Sequence, residues 1–106
     1  NIGQEAINSF DIPCGFHDED IIIYHDYIGE GYAVSSDVEM QFIMKFALDE
    51  GIILDHVYTG KACYGMVDLL TRDPDRFGQK ILFIHTGGLF GFFPERDRIT
   101  QLIRNQ

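Results

Sequence analysis

Positive charge is scarce in this chain. Eight Lys and Arg stand against 17 Asp and Glu, a formal net charge of -9 over 106 residues. Nucleic acid and anionic membrane both reward Lys and Arg, so neither is an expected partner. Cysteine is limited to Cys14 and Cys63, too few for a disulfide framework, so two free thiols in a reducing, cytoplasmic setting are expected. No Cys-x-x-Cys or His-x-x-x-His spacing offers a zinc site. No Gly/Ser or Pro-rich stretch marks a linker, and no apolar run approaches the roughly 20 residues that a membrane helix needs. No secretory pattern opens the chain. It begins with Asn1 rather than methionine, which leads to the expectation of a piece of something longer.

Apolar surface is plentiful. The sequence is 45% hydrophobic and 13% aromatic, a composition that folds rather than stays disordered. Without an internal repeat or boundary, residues 1–106 read as one segment, of a length that buries only a modest core.

The order of elements reads as alternating helix and strand. Residues 3–10 are weakly helical. Residues 20–25 (DIIIYH) form a β-branched run of the kind found in strands buried on both faces. A glycine loop follows, with Gly29, Glu30, Gly31 and Tyr32. The spacing then predicts a helix in which Ser36 and Glu39 form a capping box, Val38, Met40, Phe42, Ile43, Phe46 and Ala47 supply the apolar face, and Gly51 ends it. A second helix is expected after Thr59, capped by its hydroxyl, and ending before Pro74. Gly60 and Gly65 lie in or near it, where glycine usually marks a close approach of another backbone or a ligand. Residues 80–85 (KILFIH) are a second buried-strand candidate, and a last helix is expected from Pro94. Parallel strands joined by helices make an α/β layer, but two strands do not finish one. The chain is therefore expected to need the rest of a larger domain or a partner.

Three places could carry chemistry. Thr86-Gly87-Gly88 follows the second strand candidate, and ligands of open α/β sheets bind beyond the carboxyl ends of strands; a tight turn that merely needs positive φ is the plainer reading. Tyr58-Thr59-Gly60-Lys61 places a phenol, a hydroxyl and an ammonium before a helix. Tyr58 could act as acid or base if its surroundings lowered its pKa, or could simply pack by its ring. Lys61 could hold an anion, but in a first helical turn it is more often solvated. The third is the loop at 29–32, which could again be only a turn. The cluster His17-Asp18-Glu19-Asp20, with His25 and Asp26, reads as a solvated acidic loop rather than a metal site, because adjacent side chains diverge. His56 and His85 read as structural, and Phe90, Phe92 and Phe93 as core or subunit contact.

Three ordered segments resemble one family. They are Asp26 to Tyr32 (DYIGEGY), Gly51 to Ala62 (GIILDHVYTGKA) and Lys80 to Gly88 (KILFIHTGG). In this order they resemble the C-terminal third of the D-cysteine desulfhydrases and related 1-aminocyclopropane-1-carboxylate deaminases, over about residues 20 to 93. The resemblance implies the tryptophan synthase β-like fold of pyridoxal-phosphate enzymes (fold type II), with parallel strands and flanking helices, this chain being part of its large domain. It implies that Tyr58 lies at the cofactor as the catalytic tyrosine and that Thr86 is the hydroxyl partner of the pyridine nitrogen. Thr59, Gly87 and Gly88 would also border the cofactor. The deaminases resemble V-Y-E-G-K-S and H-L-G-G instead, so Thr59 and Thr86 put this chain on the desulfhydrase side. The implied reaction is α,β-elimination of D-cysteine, with ring opening of the cyclopropane amino acid as the alternative. An acidic, non-catalytic interaction module is the alternative of another class. The lysine that carries the cofactor is expected upstream, since Lys45, Lys61 and Lys80 do not match its motif. The chain alone is accordingly expected to be inactive, with the remainder of the parent chain, a second copy of itself and a small amino acid as partners.

Overall fold

A computed structural model describes residues 2–105; Asn1 and Gln106 lie outside them. Four α-helices organise the described residues: α1 (Ile2–Ser9), α2 (Asp37–Glu50), α3 (Thr59–Arg72) and α4 (Arg96–Arg104). Short 3-10 helices span Asp18–Asp20, His25–Tyr27 and Leu89–Glu95.

α2 forms where its caps place it. The Ser36 hydroxyl accepts from the Glu39 N–H at 3.2 Å, and a Glu39 carboxylate oxygen accepts from the Ser36 N–H at 2.6 Å. At the other end Gly51 adopts φ +68°, the left-handed conformation that stops a helix cheaply only in glycine. The expected apolar face is buried through Met40 and Ile43, while Val38 remains 59% exposed.

α3 packs across α2, and both close-approach glycines are used. A Cβ on Gly60 would collide with the Ile43 side chain and with the Asp55 carbonyl, and one on Gly65 would meet the Tyr27 ring at 2.8 Å. Met40, Ile43, Leu54 and Cys63 form the buried core among the described residues, with Phe42, Phe46, Met66, Phe83, Phe92, Ile99 and Leu102 packed partly against it. α4 is tied on by Arg98, whose guanidinium donates to Asp37 at 2.6 Å and to the Ser35 carbonyl at 2.7 Å.

Several expectations are corrected. The parallel strands at 20–25 and 80–85 are not formed; among the described residues the sole β-pairing is an isolated bridge between Gly31 and Val34. The backbone is nevertheless extended at Ile21 (φ -93°, ψ 104°) and at Tyr24 (φ -97°, ψ 104°). A strand is stabilised by hydrogen bonds to a neighbour, and neither segment has one here. Most of their side chains stay outside: Ile22 and Ile23 are each 67% exposed and Leu82 is 85% exposed, while Phe83 packs partly against the core. The radius of gyration, 16.6 Å, exceeds the roughly 13 Å expected of a compact domain this long. The last α-helix begins at Arg96 rather than Pro94, because Leu89–Glu95 winds as a 3-10 turn around that proline. Phe90 and Phe93 stack on each other in solvent, and only Phe92 reaches the core.

Candidate functional site

Two of the three candidate segments, 58–61 and 86–88, meet at a residue that sequence reasoning did not single out, Asp55. It is 1% exposed. Its Oδ2 accepts from the N–H groups of Val57 at 2.8 Å and Tyr58 at 2.7 Å, and its Oδ1 from the Thr59 N–H at 2.8 Å. The Thr59 hydroxyl also donates to Oδ1, and accepts from the Asp55 N–H at 2.9 Å. Burial by itself would raise this carboxyl, but the hydrogen bonds from the Thr59 hydroxyl and the Tyr58, Thr59 and Val57 N–H groups outweigh it and hold its pKa below the usual aspartate value. Asp55, not Thr59, therefore supplies the cap of α3, and the Thr59 hydroxyl is spent on Asp55 rather than offered to a ligand. A short polar residue just ahead of an apolar helical pattern is the signal that could have found it.

Gly88 sits directly on this turn. A Cβ there would stand 2.9 Å from Asp55 Cγ, and the backbone is left-handed at both Gly87 (φ +91°) and Gly88 (φ +93°). His85 sets the approach: its Nε2 lies 2.9 Å from the Ile53 carbonyl, while its Nδ1 accepts from the Gly87 N–H at 3.0 Å. The two contacts are those of the tautomer that carries its proton on Nε2. Thr86 between them is exposed, and its hydroxyl makes no hydrogen bond to another described residue. His56 is buried; its Nε2 is 3.0 Å from the Gly91 carbonyl, and its own carbonyl accepts from the Ser35 hydroxyl at 2.6 Å. Both histidines serve the scaffold, as their positions suggested.

Tyr58 points the other way, into solvent, and is 58% exposed. Its hydroxyl donates to the Tyr32 hydroxyl at 3.2 Å, with the rings 6.0 Å apart and 64° inclined. The hydrogen bond to Tyr32, and then partial burial, raise the Tyr58 pKa above the ordinary phenol value. A lowered pKa was the condition for Tyr58 to act as acid or base, and the shift runs the other way, leaving the phenol protonated at neutral pH. The phenol pair borders an open concavity of about 380 Å³, with Gly31, Val57 and Lys61 also in its wall. Tyr32 lies 26 positions before Tyr58, and no local spacing announces the pairing.

Lys61 is the largest departure from expectation. It is neither solvated nor free for an anion: it is 7% exposed, and its Nζ donates to the carbonyls of Ile28 at 2.8 Å and Gly31 at 3.2 Å. Lys45 lies on the surface in an ion pair with Asp49 at 2.6 Å. Cys14 and Cys63 are free thiols, the latter buried, and burial raises its pKa. Among the described residues no group of three or more His, Cys, Asp or Glu is arranged to hold a metal ion. Nor is any helix among them long and apolar enough to cross a membrane.

No protein-family model matches the chain. Individual proteins do. A protein of Arabidopsis thaliana named bifunctional D-cysteine desulfhydrase/1-aminocyclopropane-1-carboxylate deaminase, mitochondrial, is 45% identical over 95 residues, which is 89% of this chain and 24% of that protein. The chain is a homologue of the D-cysteine desulfhydrase and aminocyclopropane-carboxylate deaminase proteins. A Pyrococcus horikoshii protein provisionally named 1-aminocyclopropane-1-carboxylate deaminase is 49% identical over 80 residues, covering 74% of the chain and 24% of its own length. A Thermotoga maritima protein with the same provisional name is 42% identical over 77 residues, 73% of the chain and 23% of that relative. The chain thus spans about a quarter of the length of the curated desulfhydrase and deaminase relatives it matches. The similarity extends over 73–89% of the chain in these three relatives.

Proposed function

We propose that this chain is the C-terminal part of the large domain of a pyridoxal-phosphate-dependent, D-cysteine desulfhydrase-like lyase. The supporting observation is the exposed Tyr58 phenol, held over a concavity by a buried Asp55 turn, in a chain 45% identical to a protein named for both activities. In this reading the extended, apolar segments 20–25 and 80–85 become strands of an α/β sheet when the neighbours that would pair with them are present.

The donor set suits the cofactor. Thr86 offers an exposed hydroxyl with no partner among the described residues, as a neutral hydrogen-bonding group for the pyridine nitrogen would. Gly87 and Gly88 present backbone without side chains where a flat ring must come close, and Thr59 supports the same turn from beneath. Lys45 is paired with Asp49 and Lys61 with two carbonyls, and neither they nor Lys80 match the motif of the lysine that carries the cofactor, which the resemblance places upstream of this segment. Bound there, pyridoxal phosphate supplies the electron sink that makes the substrate Cα–H acidic.

The chain's own residues then do two things. Thr86 would hold the pyridine nitrogen, and a neutral hydroxyl there would leave that nitrogen largely unprotonated. Tyr58 holds a proton on its Oη at neutral pH and delivers it to the departing sulfur. The net reaction takes D-cysteine and water to pyruvate, ammonia and hydrogen sulfide. Opening of the cyclopropane amino acid is the second reading, favoured by the names of all three relatives; Thr59, in the place of the glutamate that the deaminase pattern carries, speaks against it.

The test is Tyr58→Phe in the full-length holoenzyme. Sulfide and pyruvate release should fall at least about 100-fold, the low end for an acid–base group, with the cofactor retained. Unchanged turnover refutes the role of Tyr58. Formation of 2-oxobutanoate from the cyclopropane amino acid, with no sulfide from D-cysteine, selects the second reading.

A further inference from the structure

We propose that Lys61 is a positioning residue for the Tyr32–Tyr58 phenol pair, acting through the glycine loop at 28–32. The consequence for catalysis rests on the function proposed above; the structural clamp does not.

Lys61 lies in the first turn of α3, three residues beyond Tyr58. Its ammonium donates across the fold to two carbonyls of the loop, Ile28 at 2.8 Å and Gly31 at 3.2 Å. Gly31 is the residue just before Tyr32. One helix start therefore carries both the phenol that faces the concavity and the cation that holds the loop bearing its partner. Packing alone does not fix Tyr32, which is 78% exposed; its phenol stays 3.2 Å from that of Tyr58 as long as its backbone is held. The loop is shaped to admit the clamp. Gly29 takes φ +74°, and a Cβ on it would stand 3.1 Å from Lys61 Nζ. The Gly31 carbonyl also accepts the Val34 N–H at 3.3 Å, so the lysine closes a turn already begun.

A plain structural lysine would satisfy the same two carbonyls and leave the phenols alone, so the decisive readout is the phenols themselves. In full-length protein carrying Cζ-labelled tyrosine, the Tyr58 resonance is titrated in wild type, Lys61→Met, Lys61→Arg and Tyr32→Phe. The Tyr58 pKa should fall in Lys61→Met to the value seen in Tyr32→Phe, and Lys61→Arg should restore part of the difference. In turnover, Lys61→Met should lower kcat about tenfold, the scale of one hydrogen bond, with KM within about twofold. A folded Lys61→Met protein whose Tyr58 titrates as in wild type overturns the proposal. If Lys61→Met does not fold, Gly29→Ala perturbs the clamp from the loop side, and an unshifted Tyr58 in that variant overturns it equally. The titration needs neither substrate nor turnover. A wild-type enzyme that leaves D-cysteine untouched would therefore refute the function proposed above, while the shift in Tyr58 would still support the clamp.

Discussion

Replacing Asp55 should unfasten the turn on which Tyr58 and Gly88 both rest. The carboxylate is 1% exposed and accepts three backbone N–H groups and one hydroxyl. A hydrogen bond to a charged group contributes about 1.5–3 kcal/mol, and each buried donor left without a partner costs about 1–3 kcal/mol. Asp55→Ala strands several donors at once, although the turn can relax and let water in to some of them. A loss of about 3–5 kcal/mol is expected, a large part of the 5–15 kcal/mol that holds a typical protein together. Asp55→Asn keeps one acceptor oxygen and the side-chain volume, so about 1–2 kcal/mol is expected for it. Urea unfolding followed by far-ultraviolet circular dichroism measures both. Acid supplies a second signature. Because the folded carboxyl has a pKa below the ordinary aspartate value of 3.8, its contribution is fully present above about pH 4 and is lost as pH falls through the folded pKa. The gap between wild type and Asp55→Asn should therefore be constant at neutral pH and close in acid. Equal stability of the two proteins at neutral pH would refute the assignment of Asp55 as the cap of α3.

Two further changes test the packing around the same turn. Gly88→Ala places a methyl 2.9 Å from Asp55 Cγ on a backbone at φ +93°; a loss of about 1–3 kcal/mol is expected from that strain, and a melting temperature unchanged from wild type would show that Gly88 does not approach Asp55. Met40 is completely buried between α2 and α3, so Met40→Ala should cost about 2–5 kcal/mol in the same urea experiment, and a value under about 1 kcal/mol would place it outside the core.

The most local features were the most legible. Ser36, Glu39 and Gly51 mark the ends of α2 correctly because a cap is made by residues three or four apart, and the geometry travels with the sequence. Gly60 and Gly65 announced close approach for a similarly simple reason: a missing Cβ is visible in the sequence, although what fills the space, here Ile43, the Asp55 carbonyl and the Tyr27 ring, is not. The ordered motifs around Tyr32, Tyr58 and Thr86 likewise carried the resemblance that the relatives now show.

Tertiary structure decided the rest. Ile21–Ile23 and Ile81–Ile84 have the composition of buried strands, but a strand is a property of two segments, and composition describes one. Lys61 read as a surface cation because lysine usually is one; only the fold brings the Ile28 and Gly31 carbonyls to its nitrogen. Tyr32 and Tyr58 become a pair for the same reason, across 26 residues that no periodicity spans. By itself the sequence determined the existence of the α-helices, the caps of α2 and the side chains with chemistry to offer. Which of those side chains are spent inside the fold, as Asp55, Thr59 and Lys61 are, and which are left facing solvent, as Tyr58 and Thr86 are, was decided by contacts between residues far apart in the chain, whose energies depend on burial and on partners that local sequence does not specify.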